Sequence, residues 1–193
     1  MSKIQTLHSD SPLFPNNLKQ ISKPPSKLYC LGDVSLLNSP CIATVGSRDC
    51  SDYGLRVAKE FSEGLAKSGI TIVSGLAIGI DTACHKGALS ANGKTIAVLG
   101  CGINNIFPPE NIRLANDIVS SGGLIISEYP TSTQYKSEYF PHRNRIVAGL
   151  SLGALVVECA YRSGASLTAN IAFKQCIPVF CIPTDIYSKH SRC

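Results

Sequence analysis

Glycine, hydroxyl and basic side chains gather where short apolar runs of this sequence end. Val45 leads into Gly46-Ser47-Arg48, and Val73 into Ser74-Gly75, with Asp81, His85 and Lys86 following. Leu99 leads into Gly100-Cys101-Gly102, and Arg143-Asn144-Arg145 come just after Phe140-Pro141. Arg162-Ser163-Gly164-Ala165-Ser166 lie beyond a further run. Glycine admits close backbone approach, a guanidinium forks onto phosphate oxygens, and a helix opening just beyond a strand aims free amides at an anion. The expected phosphate contacts are therefore Gly46, Ser47, Arg48, Ser74, Gly75, Lys86, Arg143, Asn144, Arg145, Ser163, Gly164 and Ser166.

Each segment taken singly has a plainer reading. Gly46-Ser47-Arg48 also fits an ordinary turn with a surface arginine, and Ser74 to Asp81 fits a tight turn with Asp81 at a helix start. Arg143 and Arg145 also fit a solvated helix start, although cations there oppose the dipole, a cost that a bound anion offsets. Taken together they predict a cradle for a polyanion, with the guanidinium groups of Arg48, Arg143 and Arg145 on one rim. Catalytic groups are not evident. Glu128 has no partnered acid or metal ligands, which favours a structural or ligand hydrogen-bonding role. Neither a Gly-x-Gly-x-x-Gly fingerprint nor a Walker loop is present, and the nine cysteines contain no Cys-x-x-Cys pair. No metal and no cofactor are expected.

The elements that must position these residues are short and regular. Apolar runs at Cys41 to Val45, Ile70 to Val73, Thr95 to Leu99, Leu124 to Ile126, Ala154 to Val157 and Ile177 to Cys181 predict six buried strands. Amphipathic stretches separate them, as in Tyr53 to Lys67, where Leu55, Ala58, Phe61 and Leu65 recur at helical spacing and Asp52 is placed to cap. Such alternation predicts an α/β fold with a doubly wound, mainly parallel sheet of the extended Rossmann-like kind. Ligands of these sheets bind beyond the carboxyl ends of the strands, where the strand order reverses. Residues 1–40 read as a lead-in arm in which Pro24-Pro25 disfavours helix, residues 41–183 as the core, and residues 184–193 as a short tail.

With 44% hydrophobic and 16% charged residues, the 193-residue chain has the composition of one well-buried domain. Its net charge of +5 permits an anionic partner without demanding one. The odd, scattered cysteines suit a reducing compartment, with Cys41, Cys159 and Cys181 acting as small hydrophobes inside apolar runs. The N-terminus shows no signal peptide and no run reaches the roughly 20 apolar residues of a membrane span, so a cytoplasmic protein is expected, with no membrane partner.

From Lys27 to Pro183 the motifs stand in the order found in the DprA/Smf family of DNA-processing proteins, which this chain resembles. They are Val45-Gly46-Ser47-Arg48, Ser74-Gly75-Leu76-Ala77-x-Gly79-Ile80-Asp81 with His85 and Gly87-Ala88-Leu89, Ser127-Glu128, Phe140-Pro141-x-Arg143-Asn144-Arg145-Ile146 and Arg162-Ser163-Gly164. The resemblance implies a protein that binds single-stranded DNA without cleaving it, forms a homodimer and helps load the RecA recombinase in natural transformation. It makes Arg48 a principal phosphate contact, with Arg143 to Arg145 and the Ser163-Gly164 loop lining the same basic pocket. Ile78 stands where the family usually has arginine, and Pro183-Thr184 where it has proline-glycine. Family members usually continue with a Gly-rich segment and often a winged-helix module, so the sequence reads as a minimal or truncated form.

Two other functions use the same kind of site. A phosphoribohydrolase on a related fold would carry a Pro-Gly-Gly-x-Gly-Thr-x-x-Glu loop, which this sequence lacks, and a sensor would take a free nucleotide in place of a strand. Tyr129, Tyr139 and Phe140 are the aromatics placed to stack on bases, core packing being the better-fitting role for Phe140.

Overall fold

The computed structural model describes residues 3–160 and 163–184. Eight strands form one sheet in the order β1-β2-β6-β5-β4-β3-β7-β8. They are β1 (Gln5–His8), β2 (Lys27–Gly32), β3 (Cys41–Val45), β4 (Thr71–Ser74), β5 (Thr95–Leu99), β6 (Leu124–Ser127), β7 (Gly153–Val156) and β8 (Val179–Cys181). Strands β3 to β8 pair in parallel, whereas β1 and β2 add an antiparallel margin with Cys30 opposite Ile126. The sheet is thus the doubly wound kind expected, and the segment read as a lead-in arm contributes two of its strands. These two strands lack a long apolar run, which is why a single-face pattern in a Ser-, Pro- and Lys-rich stretch does not announce them.

The helices are α1 (Asn16–Lys19), α2 (Asp52–Lys67), α3 (Ile80–Ser90), α4 (Ile112–Ser120), α5 (Tyr139–Gly149) and α6 (Gly164–Lys174). Strand pleating divides the core. Val73, Ile96, Val98, Leu124, Ile126, Ala154 and Val156 face α5 and α6, together with Phe14, Leu18 and Ile21 of the arm. On the other face Ile72 and Leu155 pack on α2 and α3, while Ala97, Leu99 and Ile125 pack on α4. Each such aliphatic side chain contributes about 1.5–3 kcal/mol on burial, so both faces of the parallel strands must be covered. β8 departs from the expectation of a buried strand: as the sheet edge it leaves Phe180 and Cys181 exposed. Cys41 is a buried free thiol that burial pushes up to about 11, whereas Cys159, also buried, departs from the expectation of a reduced thiol in being disulfide-bonded.

Chain direction fixes where a ligand can sit. From β3 the chain crosses through α2 to β4 on one side, and from β7 through α6 to β8 on the other. The order therefore reverses between the adjacent strands β3 and β7, and the crevice beyond their carboxyl ends is the site this topology provides.

Candidate functional site

A cleft of about 580 Å³ occupies that crevice. Gly46, Ser47 and Arg48 line it from the end of β3, Gly75 from β4, and Ser163 and Gly164 from the start of α6. Arg143 and Asn144 reach it from α5. Eight of the twelve sequence-predicted residues thus share one cavity.

The other four go elsewhere. Ser74 is buried and its hydroxyl donates to the Thr44 carbonyl at 2.6 Å, tying β4 to β3. Ser166 closes the α6 cap, its amide donating to Ser163 Oγ at 3.2 Å and its own Oγ to the Ser163 carbonyl at 2.8 Å. Lys86 lines an adjoining cleft beside Arg48, Asp49 and Lys59. Arg145 is turned away: its Nη1 and Nη2 donate to Glu128 at 2.8 and 2.6 Å and its Nε to the Lys23 carbonyl at 2.9 Å. The three guanidinium groups therefore do not meet on one rim. Residues two apart on a helix point about 200° apart, so Arg143 and Arg145 cannot serve one cavity. Glu128 has the structural role anticipated for it, also pairing with His142 at 3.1 Å.

Arg143 itself differs from a rim cation. It is 4% exposed, its Nη1 donates to the carbonyls of Gly75 (2.7 Å) and Val98, and its Nε donates to Asn144 Oδ1 at 3.2 Å. It stitches the ends of β4 and β5 together and lays a positive charge under the cleft floor. Burial lowers its pKa from the usual arginine range, Asp81 pulls the other way, and Arg48 adds to the lowering. Because α5 begins at Tyr139, Arg143 lies beyond its first turn, and the opposing cost is desolvation rather than the helix dipole expected above.

The protein's own carboxylates are engaged beside two of the helix starts near the cleft. Glu158, beyond β7 and 4% exposed, accepts from the Ser51 amide at 2.9 Å and the Ser51 hydroxyl at 2.5 Å. Ser51, not Asp52, is the N-cap of α2, accepting from the Gly54 amide at 3.0 Å. At the start of α3, Asp81 accepts from the amides of Gly75 (3.1 Å) and Ala77 (3.3 Å). Burial raises the Asp81 carboxyl while Arg143 and the loop amides lower it. The plain reading of Ser74 to Asp81 as a turn closed by a helix-start aspartate thus describes that segment. α6 opens on the cleft with Gly164 and Ala165 in its first two positions, whose amides have no partner within the helix.

The site glycines answer to packing as well. A Cβ at Gly46 would lie 2.5 Å from Ile80 Cγ1, and one at Gly75 would overlap the Arg143 guanidinium. Their missing side chains make room for protein groups, so the close approach that glycine permits is spent on assembling the wall.

An aromatic group that the sequence did not single out completes the cavity. Phe107 and Tyr135 stack at 4.0 Å, Phe140 lies 5.8 Å from Phe107, and all three line the cleft. The Arg48 guanidinium lies over the Phe140 ring at 5.4 Å, a cation–π contact that holds an exposed side chain at the cleft mouth. Phe140 is therefore at the site and not simply core, whereas Tyr129 and Tyr139 stack on one another at 4.2 Å. Arg162 of the Arg162-Ser163-Gly164 motif lies outside the described residues.

Fold and site together define a class: an open, doubly wound α/β domain whose switch-point cleft is lined by arginine, glycine and aromatic side chains. The chain belongs to the DNA recombination-mediator protein A family, whose model matches residues 5–193. Protein Smf of Escherichia coli (strain K12) is 46% identical over 178 residues, 92% of this chain and 48% of that protein. DNA processing protein DprA of Streptococcus pneumoniae is 42% identical, covering 90% of this chain and 61% of its own length. The solved structure of the pneumococcal protein superposes with a TM-score of 0.91 at 39% identity, over 97% of this chain and 66% of that one. DNA processing protein A of Helicobacter pylori, described for its single-stranded DNA binding mode, superposes at 0.89 with 31% identity, over 100% of this chain and 86% of that one. The chain spans about half to three fifths of the length of these curated relatives. Among the described residues no helix is long and apolar enough to cross a membrane.

Proposed function

We propose that this chain binds the backbone of single-stranded DNA in the switch-point cleft and does not cut it. The observation that carries the reading is the meeting of Arg48, held over Phe140, with the open amides of α6 and the buried charge of Arg143 in one cavity. Arg48 is a clamp for a phosphate, the α6 amides receive a second oxygen, and Phe107, Tyr135 and Phe140 give sequence-tolerant stacking surfaces. Of the carboxylates that line the cleft, Asp49 and Asp81, the latter is engaged by the Gly75 and Ala77 amides, which supports a binding rather than a hydrolytic role.

In the cell the protein protects incoming single strands during natural transformation and delivers them to RecA, acting as a cytoplasmic homodimer; the recombination-mediator family supports the recombinase partner. The β8 margin supports pairing of two copies, because among the described residues it ends the sheet and leaves Phe180 55% and Phe173 77% exposed. Residues 41–183 form the binding core, and the first 40 residues widen its sheet. Titration of labelled oligothymidylate at several salt concentrations tests the reading. Saturable binding that weakens as salt rises is expected, and binding of mononucleotides in preference to strands, or release of shortened products, overturns it.

A further inference from the structure

A second cleft, of about 730 Å³, lies on the α5/α6 side of the sheet between residues 17–23 of the arm and the ends of α5 and α6. Lys23, Lys174 and Arg145 line it, and among the described residues no aspartate or glutamate does, unlike the switch-point cleft with Asp49 and Asp81 or the adjoining one with Asp49. The carboxyl end of α6, which would repel an anion if left open, is closed by the amides of Gln175, Cys176 and Ile177, which donate to Ile171, Phe173 and Ala172.

The position of Lys23 is imposed on it. Its φ of 59° is a conformation that costs a lysine backbone strain, and Arg145, itself anchored on Glu128, holds the Lys23 carbonyl at 2.9 Å. Arg145 thus pins the arm with a lysine on the cleft wall. Pro141 lines both this cleft and the switch-point cleft, so the two cavities adjoin across the first turn of α5.

We propose that this arm cleft is a second phosphate seat, which takes the backbone of the same single strand as it leaves the Arg48 cleft over Pro141, with Lys23 and Lys174 as its contacts. The proposal rests on the single-strand reading above and adds a direction and a longer footprint to it. A strand held by one cavity needs about 4 nucleotides, the lower end of site sizes for such grooves, whereas one crossing both needs more.

The test compares oligothymidylates of about 4 and about 16 nucleotides with the wild-type chain and the double variant Lys23→Asn, Lys174→Gln, over a salt series. Asparagine tolerates the left-handed backbone at position 23 and glutamine suits a helix end, so the fold is retained. Each lost phosphate contact lowers the salt slope on a single strand by about 0.7, so the variant should lose about 1.4 on the longer strand. Binding of the short strand should stay within about twofold, because Arg48 still holds it. An unchanged slope on the longer strand overturns the second seat, as does equal weakening on both lengths. Loss of thymidine monophosphate binding with the longer strand unaffected would show a free-nucleotide pocket instead. If the wild-type chain retains neither oligonucleotide, the single-strand reading itself fails and this proposal with it; if it binds both and only the slope comparison fails, that reading stands alone.

Discussion

Glu158→Gln separates a ligand-binding helix start from one that the protein has closed for itself. The carboxylate receives two hydrogen bonds from Ser51, at 2.9 and 2.5 Å, at the amino end of a 16-residue helix and in a site 4% exposed. An amide keeps the shape and removes the charge. Bonds to a charged group contribute about 1.5–3 kcal/mol each and neutral ones about 0.5–1.5, so two such exchanges cost about 2 kcal/mol. Losing the charge–dipole attraction adds about 0.5–1 kcal/mol, for a total near 3 kcal/mol. For a domain of this length each kcal/mol lowers Tm by about 2–4 °C, so thermal unfolding followed by circular dichroism should fall by roughly 6–12 °C. Asp52→Asn is the matched control: Asp52 stands in the first turn of the same helix without capping it, and its loss should cost under about 1 kcal/mol. A Glu158→Gln shift below about 2 °C, or one equal to that of Asp52→Asn, would refute the assignment of the helix start to Glu158.

Arg48→Ala should lower the salt slope of single-strand binding by about 0.7 and leave Tm within about 1 °C, since the side chain is exposed; titration and thermal melts of one preparation check both. Ile78, 45% exposed on the loop beside Gly79, should gain a phosphate contact as Ile78→Arg and steepen the same slope by a similar amount. Arg143→Lys cannot span the Gly75 and Val98 carbonyls with a fork, and should cost about 2–3 kcal/mol in urea unfolding; an unchanged midpoint would show the bridge is dispensable. His85 is buried, its Nδ1 meeting Thr95 Oγ1 at 2.7 Å, and burial foremost, then Arg143, lowers its pKa from 6.5 to about 3. The unfolded chain then binds the extra proton first, so stability should be level above pH 6.5 and fall, by at most about 1.4 kcal/mol per pH unit, between 6.5 and 3. Urea unfolding from pH 7 to 5 checks this: His85→Phe should flatten that limb, and an identical limb in the variant would assign it to other groups.

The core strands were legible because each is a local signal: Cys41–Val45 and Thr95–Leu99 are continuous apolar runs of strand length, and their order with intervening helical periodicity implies the parallel sheet. The strand-end residues were legible for the same reason, since a doubly wound sheet delivers whatever follows its strands to one edge. Tertiary structure alone decided what those residues do there. Glu158 reaches Ser51 across 107 residues of chain and takes over a helix start that local sequence assigned to a ligand. Arg143 and Arg145 look equivalent in sequence, yet the first lies under the cleft and the second ties Glu128 to the arm, because a helix turns about 100° per residue and packing fixes which side meets the sheet. Phe107 and Tyr135, far apart in character from any motif, become part of the site only when the loops beyond β5 and β6 fold against α5. Short-range periodicity determines which elements form, while the partner of a buried charge is settled by desolvation, which no stretch of sequence records before the chain is packed.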